Sequence, residues 1–219
     1  MIPTVKAVVA RTALLMTCGL AVASQASVAM QAEVIDRVLA VVSSQIITLS
    51  DVRAALAFGL VDGGQAPDPV AVALQKLIER ELVLTEVHRY EPPEPQQAAI
   101  DVKFAAARAR FSSDSTYAAA LATSGLDQDR LRDLLKEELR IEAYLDERFI
   151  GAAQPTDDEV DTYVREHSQE AMANERSAEA ARDFVRQRLT GERRAALIAE
   201  WLEGLRRRAD VTELYLPSS

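Results

Sequence analysis

The chain has 219 residues, 25 of them Lys or Arg and 34 Asp or Glu, for a net charge of −9. That balance argues against nucleic acid as a partner, because duplex binding rests on cations clustered against phosphates. One Cys permits no internal disulfide, two His cannot form a His-rich metal site, and eight Gly without a GxGxxG or GxxxxGK[ST] pattern provide no phosphate-cradling loop.

Apolar residues make up 48% of the chain, enough for a buried core. Only 11 are aromatic while 37 are Ala, the best helix former and a poor contributor of buried area. A mainly α protein with a thin core is expected.

Residues 1–29 read as an address label. Lys6 and Arg11 precede an apolar run at 12–23, and small residues follow at cleavage spacing: Ala21-Val22-Ala23, Ser24-Gln25-Ala26 and Ser27-Val28-Ala29. A positive start, an apolar middle and a small-x-small end mark a secretory signal peptide, residues 1–26, cleaved between 23 and 29. The run is shorter than the ~20 residues that span a bilayer and Gly19 interrupts it, so no stable membrane insertion is expected after cleavage. Cys18 follows Thr17 inside the run, where a lipobox would need a smaller residue. Loss of Lys6, Arg11 and Cys18 takes the net charge from −9 to −11 and leaves a thiol-free chain, suited to an oxidising compartment.

From 33 to 48 the chain is rich in β-branched residues, broken by Ser43-Ser44-Gln45, which predicts two strands and a short turn. Ser50-Asp51 then supplies an N-cap and an acidic first turn for a helix reaching Phe58. Gly and Pro make 59–69 a loop. A helix follows over about 70–90, with Leu74, Leu77, Ile78, Leu82 and Leu84 as its apolar positions, and Pro92-Pro93-Glu94-Pro95 stops it. Ile100, Phe104, Ala107 and Phe111 make one stripe of the next helix. Ser112-Ser113-Asp114 breaks that helix and caps a short one carrying Tyr117 and Leu121, which Gly125 ends. Asp127 opens a long helix to about Phe149, with Leu131, Leu134, Leu135, Leu139, Tyr144 and Leu145 on its buried side. Thr156 and Glu159 form a capping box for a helix to about His167. The stretch 168–178 is polar and Ala-rich, a loop or frayed helix. A final helix over about 179–208 carries Phe184, Val185, Leu189, Leu197, Ile198, Trp201, Leu202 and Leu205. Residues 211–216 read as a last strand, placed to join the opening hairpin, because a two-stranded hairpin alone is marginal.

Three stretches resemble the SurA-type periplasmic chaperones and the related secreted parvulin-type prolyl isomerases. They are the hairpin and helix start at 34–52, the short-helix, Gly-Leu, long-helix arrangement at 111–149 (Tyr117 to Leu126, then Leu131 to Leu139), and the closing helix and strand at 199–211. The resemblance implies a mainly α fold like the SurA N-terminal domain and the trigger-factor C-terminal domain, with a small sheet from the N-terminal hairpin and the C-terminal strand. It divides the chain into a signal peptide, a chaperone domain at 33–150, and a helical C-terminal segment at 151–219 packing on the same core. The chain departs from the family at one place: about 40 residues separate Phe149 from Gly191, with His167 alone and no Gly between Gly151 and Gly191. The parvulin module, with its paired His and Gly-Gly loop, is missing.

The function the resemblance implies is that of a periplasmic, ATP-independent holdase for unfolded polypeptides, outer-membrane proteins among them, with no catalytic residue, cofactor or metal. Its candidate client-contacting side chains are Phe58, Phe104, Phe111, Tyr117 and Leu121; for Phe104 and Phe111 the competing assignment is core, since their stripe is what any amphipathic helix needs. The alternatives are a parvulin-type prolyl isomerase and an envelope assembly subunit with one fixed protein partner. His88 and His167 read as helix-end His, Asp157-Asp158-Glu159 as first-turn acids, and Arg206-Arg207-Arg208 as last-turn cations, each placed as the helix dipole favours.

Overall fold

The structure, a computed structural model, describes residues 36–167 and 177–216. The signal-peptide expectation at 1–29 and most of the polar stretch at 168–178 lie outside the described residues.

The β-branched run folds back on itself. Strands β1 (Val38–Val42) and β2 (Gln45–Thr48) are antiparallel across the two-residue turn Ser43-Ser44. Ser43 lies in the left-handed region, φ 57°, and its N–H donates to the carbonyl of Asp210 at 2.6 Å, which ties the turn to the far end of the chain. The closing strand β3 (Val211–Glu213) pairs antiparallel with β1, so the sheet order is β2-β1-β3. The register shifts between Val38 and Ala40, and the carbonyl of the intervening Leu39 accepts the N–H groups of Leu214 and Tyr215 at 2.8 and 3.1 Å. Alternation sends Ala40, Val42 and Ile47 to the buried inner face and leaves Val41 and Ile46 on the outer face.

Helix α1 (Leu49–Phe58) follows β2 without a loop, and its N-cap is Thr48 rather than Ser50. The Thr48 hydroxyl accepts from the Asp51 N–H at 3.2 Å, and the Asp51 carboxylate accepts from the Thr48 N–H at 2.8 Å. This reciprocal box outcompetes a Ser50 cap; the Ser50 N–H instead donates to Asp36 at 3.3 Å. Gly59 closes α1 at φ 73°, a left-handed backbone that favours Gly.

Helix α2 (Pro69–Tyr90) takes Pro69 as its first residue, one position before the predicted start, because Pro lacks only an N–H that would go unpaired there; Asp68 caps it through the Ala71 N–H at 3.0 Å. Helix α3 (Gln97–Ala109) ends before Phe111, which therefore sits in the connection to α4 rather than on the α3 stripe. Helix α4 (Asp114–Ser124) has Ser113 as N-cap and Gly125, φ 65°, as C-cap. Helix α5 (Gln128–Phe149) is capped by Asp127. Helix α6 (Asp157–Glu166) opens on the Thr156/Glu159 box, and helix α7 (Ala178–Arg208) opens on Ser177.

Packing follows from the apolar faces. The inner face of the sheet, α1 and α2 share one cluster built on Leu39, Val52, Leu74, Ile78 and Leu82, which Leu205 of α7 completes. Helix α5 divides its buried side. Leu131 and Leu135 join Phe58, Tyr117 and Leu121, whereas Ile141 and Tyr144 meet Val83 and Val87 of α2. Of the side predicted to be buried, Leu134, Leu139 and Leu145 are only half-buried, while Ile141 is buried. Helix α7 is buried only at Ala181, Val185 and Leu205; Phe184 is exposed and its remaining large apolar residues are half-buried. Its N-terminal part pairs with α6 around Val160 and Val185, a small cluster of its own.

Candidate functional site

The sequence-derived candidates are gathered, but inward. Phe58 is 2% exposed, and Tyr117 and Leu121 are buried with it. Phe111 is half-buried and its ring centroid lies 5.3 Å from that of Phe58 and 5.6 Å from that of Tyr117; the Phe58–Tyr117 separation is 6.1 Å, edge to face. Phe104 is half-buried, with the Arg132 guanidinium 4.1 Å above its ring. The five side chains thus form the core that fastens α1 to α3, α4 and α5, and only Phe104 and Phe111 keep surface for a second molecule. The Tyr117 hydroxyl is buried without a hydrogen-bond partner among the described residues, and burial pushes its phenol above the usual range, partly offset by Arg108 and Arg132.

A different place is open. A cleft of about 360 Å³ lies between β2 and α1 on one side and α5 on the other, with α2 as its floor. Ile47, Ala54, Ala55, Leu77, Leu84, Leu126 and Leu134 supply apolar walls. Ile46 stands at its lip with 59% of its surface exposed. Thr85, His88 and Arg130 lie around the opening. Leu134 belongs to the side of α5 predicted to be buried; it is half-buried because it faces this space rather than another helix.

Charge is concentrated in the cleft. Arg80 is 10% exposed in its side chain, and its guanidinium meets Glu81 at 3.1 Å, Glu137 at 2.8 Å and Glu138 at 3.7 Å. Three carboxylates on one cation leave this cluster net negative; Glu81 and Glu137 line the cleft, together with Asp51 and the cation of Arg130, whereas Glu138 lies outside it, beside Val83 and Ile141. Burial pushes Glu81 and Glu138 above the ordinary carboxylate value, against the pull of Arg80; Glu137 and Asp51 push Glu81 further up. Charges held this far from water usually titrate abnormally, and such groups concentrate at functional sites.

The cleft carried one sequence signal that residue typing passed over. Arg80 and Glu81 fall between Leu77 and Leu84 on the buried side of α2, where an uninterrupted apolar stripe is expected. A charged pair in that position marks either a buried ion network or a polar-lined cavity, and both are present here.

Of the remaining polar candidates, His167, Asp157, Glu159 and Arg206 have partners. The His167 ring stacks on Tyr163, centroids 4.2 Å apart, at the end of α6. Asp157 pairs with Arg186 at 2.6 Å, and Glu159 with Arg193 at 3.1 Å. Arg206 pairs with Glu213. Among the described residues, no group of three or more His, Cys, Asp and Glu is placed to hold a metal ion, and no helix is long and apolar enough to cross a membrane.

No protein-family model matches the chain, and no curated protein matches it significantly.

Proposed function

We propose that the protein is an ATP-independent holdase of the bacterial periplasm, exported by its N-terminal signal and built as a SurA-like chaperone core without a parvulin module. The observation that carries this reading is the solvent-open cleft, whose apolar walls lie beside an exposed strand edge and whose rim is charged. An unfolded client buries apolar side chains there at about 25 cal/mol per Å², and the entropy lost on ordering it keeps affinity modest and selectivity broad. The net negative charge favours solubility of a protein that exposes such a surface.

The test is suppression of aggregation. Purified protein, without nucleotide, is mixed with several unrelated chemically unfolded proteins on dilution, and light scattering is followed. Suppression of most of them at comparable molar ratio is expected. No suppression at several-fold excess refutes the holdase, capture of a single stoichiometric partner from envelope extracts replaces it with an assembly subunit, and turnover of a proline tetrapeptide replaces it with an isomerase.

A further inference from the structure

The backbone of β2 adds something the cleft alone does not. Val42 and Gln45 flank a two-residue turn and are therefore a hydrogen-bonded pair, so the next pair, Val41 and Ile46, is not. The Val41 backbone groups turn to β3, in phase with the Ser43 N–H bonded to Asp210 and the Leu39 carbonyl bonded to Leu214. The Ile46 N–H and C=O turn the opposite way, out of the free edge of the sheet. Native edges are usually protected by Lys, Pro or an inward charge, and Gln45-Ile46-Ile47-Thr48 contains none of these.

An extended segment laid antiparallel on this edge has one residue facing Ile46. Its side chain lies on the outer face beside the exposed Ile46. The residues before and after it, about 7 Å apart, turn to the inner face, which is the mouth of the cleft. Ala54, Leu84 and Leu134 offer one of them an apolar wall, and Asp51, Glu81 and Glu137, three carboxylates against the guanidiniums of Arg80 and Arg130, offer the other a net negative lining.

We propose that the free edge of β2 and the cleft behind it form one binding site for an extended, basic-apolar polypeptide segment. The segment adds as a fourth strand through the Ile46 backbone and places one apolar and one cationic side chain in the cleft. This deepens the holdase reading, on which it rests, by naming the class of client segment.

The probe is a short dye-labelled peptide with a Leu-Thr-Lys centre, titrated into the purified protein by fluorescence anisotropy. Binding weakens roughly tenfold or more when Lys is replaced by Glu, and by a similar factor when the central Thr carries an N-methyl group, because a charge-assisted pair or a backbone bond is lost. Ile46→Pro removes the outward N–H while leaving the β1 ladder intact, the position at which an edge strand tolerates Pro. Thr85→Trp fills the cleft from its exposed rim. Both weaken the parent peptide by a similar factor with unchanged far-UV circular dichroism, whereas Ile198→Asp on α7 leaves binding unchanged. Equal affinity for the Lys and Glu peptides, equal affinity for the methylated and parent peptides, or no binding of the parent peptide overturns the proposal. Aggregation suppressed without this selectivity removes the strand-addition site and leaves the holdase. Selective peptide binding without suppression removes the holdase and leaves the site.

Discussion

Replacing Arg80 by Met keeps the length of the side chain and removes the cation that bonds three partly buried carboxylates. Glu81, Glu137 and Glu138 then face one another across the α2–α5 contact, with Lys103 already paired to Glu142. Breaking a buried ion cluster by removing one partner costs about 3–5 kcal/mol, and the 23–30% exposure of these carboxylates favours the lower figure, about 3 kcal/mol at neutral pH. That is a large part of the roughly 5–15 kcal/mol that holds a domain folded. The pH dependence identifies the cause. Glu81 and Glu138 already titrate above their ordinary 4.5, so the folded state favours their protonated forms. Their contribution is favourable below 4.5 and is lost as pH rises through the raised values. Removing Arg80 raises those values further. The loss in Arg80→Met therefore shrinks on acidification to about pH 4, leaving only what altered packing of the stem costs. Urea unfolding of both proteins at neutral and mildly acidic pH, followed by circular dichroism, measures it. An equal loss at both pH values refutes the electrostatic account.

Phe58→Ala removes the ring that Phe111 and Tyr117 pack against and should cost about 3–5 kcal/mol, seen as a lower urea midpoint at unchanged slope. Tyr117→Phe deletes a buried hydroxyl with no partner among the described residues, so stability should be unchanged or rise by about 1 kcal/mol, and a clear loss would reveal a bond to water or to a moved side chain. Arg193 and the Thr156 N–H hold Glu159 down at about 2, so its pairing stabilises the fold above the ordinary 4.5 and is lost as pH falls through 2; Glu159→Gln should flatten the acid limb of a thermal-unfolding-against-pH profile over that window. Deleting residues 210–219 removes β3, the Asp210 carbonyl on Ser43 and the Tyr215 hydroxyl bond to Asp68 at 2.9 Å, so it should lower the melting temperature by several degrees, and an unchanged value would refute the role of the third strand.

The opening hairpin, the helix sequence and most caps were legible because each is decided within a few residues. Thr156 with Glu159, Ser113 before α4 and Gly125 after it act through neighbours along the chain. The misplaced cap of α1 shows the limit of that logic. Thr48 and Ser50 are both cap formers three or fewer residues from Asp51, and the reciprocal bonds between Thr48 and Asp51 select the first, while Asp36, fourteen residues back, takes the Ser50 N–H.

The candidate site was legible only in its charged pair. Periodicity distinguishes an apolar face from a polar one but not a face against another helix from a face against a void. Phe58, Tyr117 and Leu121 looked like contact residues and lie in a core, while Leu134 looked like core and lines a cleft. Sequence alone determined the helical composition, the strand pairing in the hairpin and most of the caps, because those depend on local backbone preference and on the period of apolar residues. Tertiary structure decided which apolar faces meet, that Arg80 gathers three carboxylates from two helices, and that the Ile46 edge stays open, because these depend on separations in space that residue order does not encode.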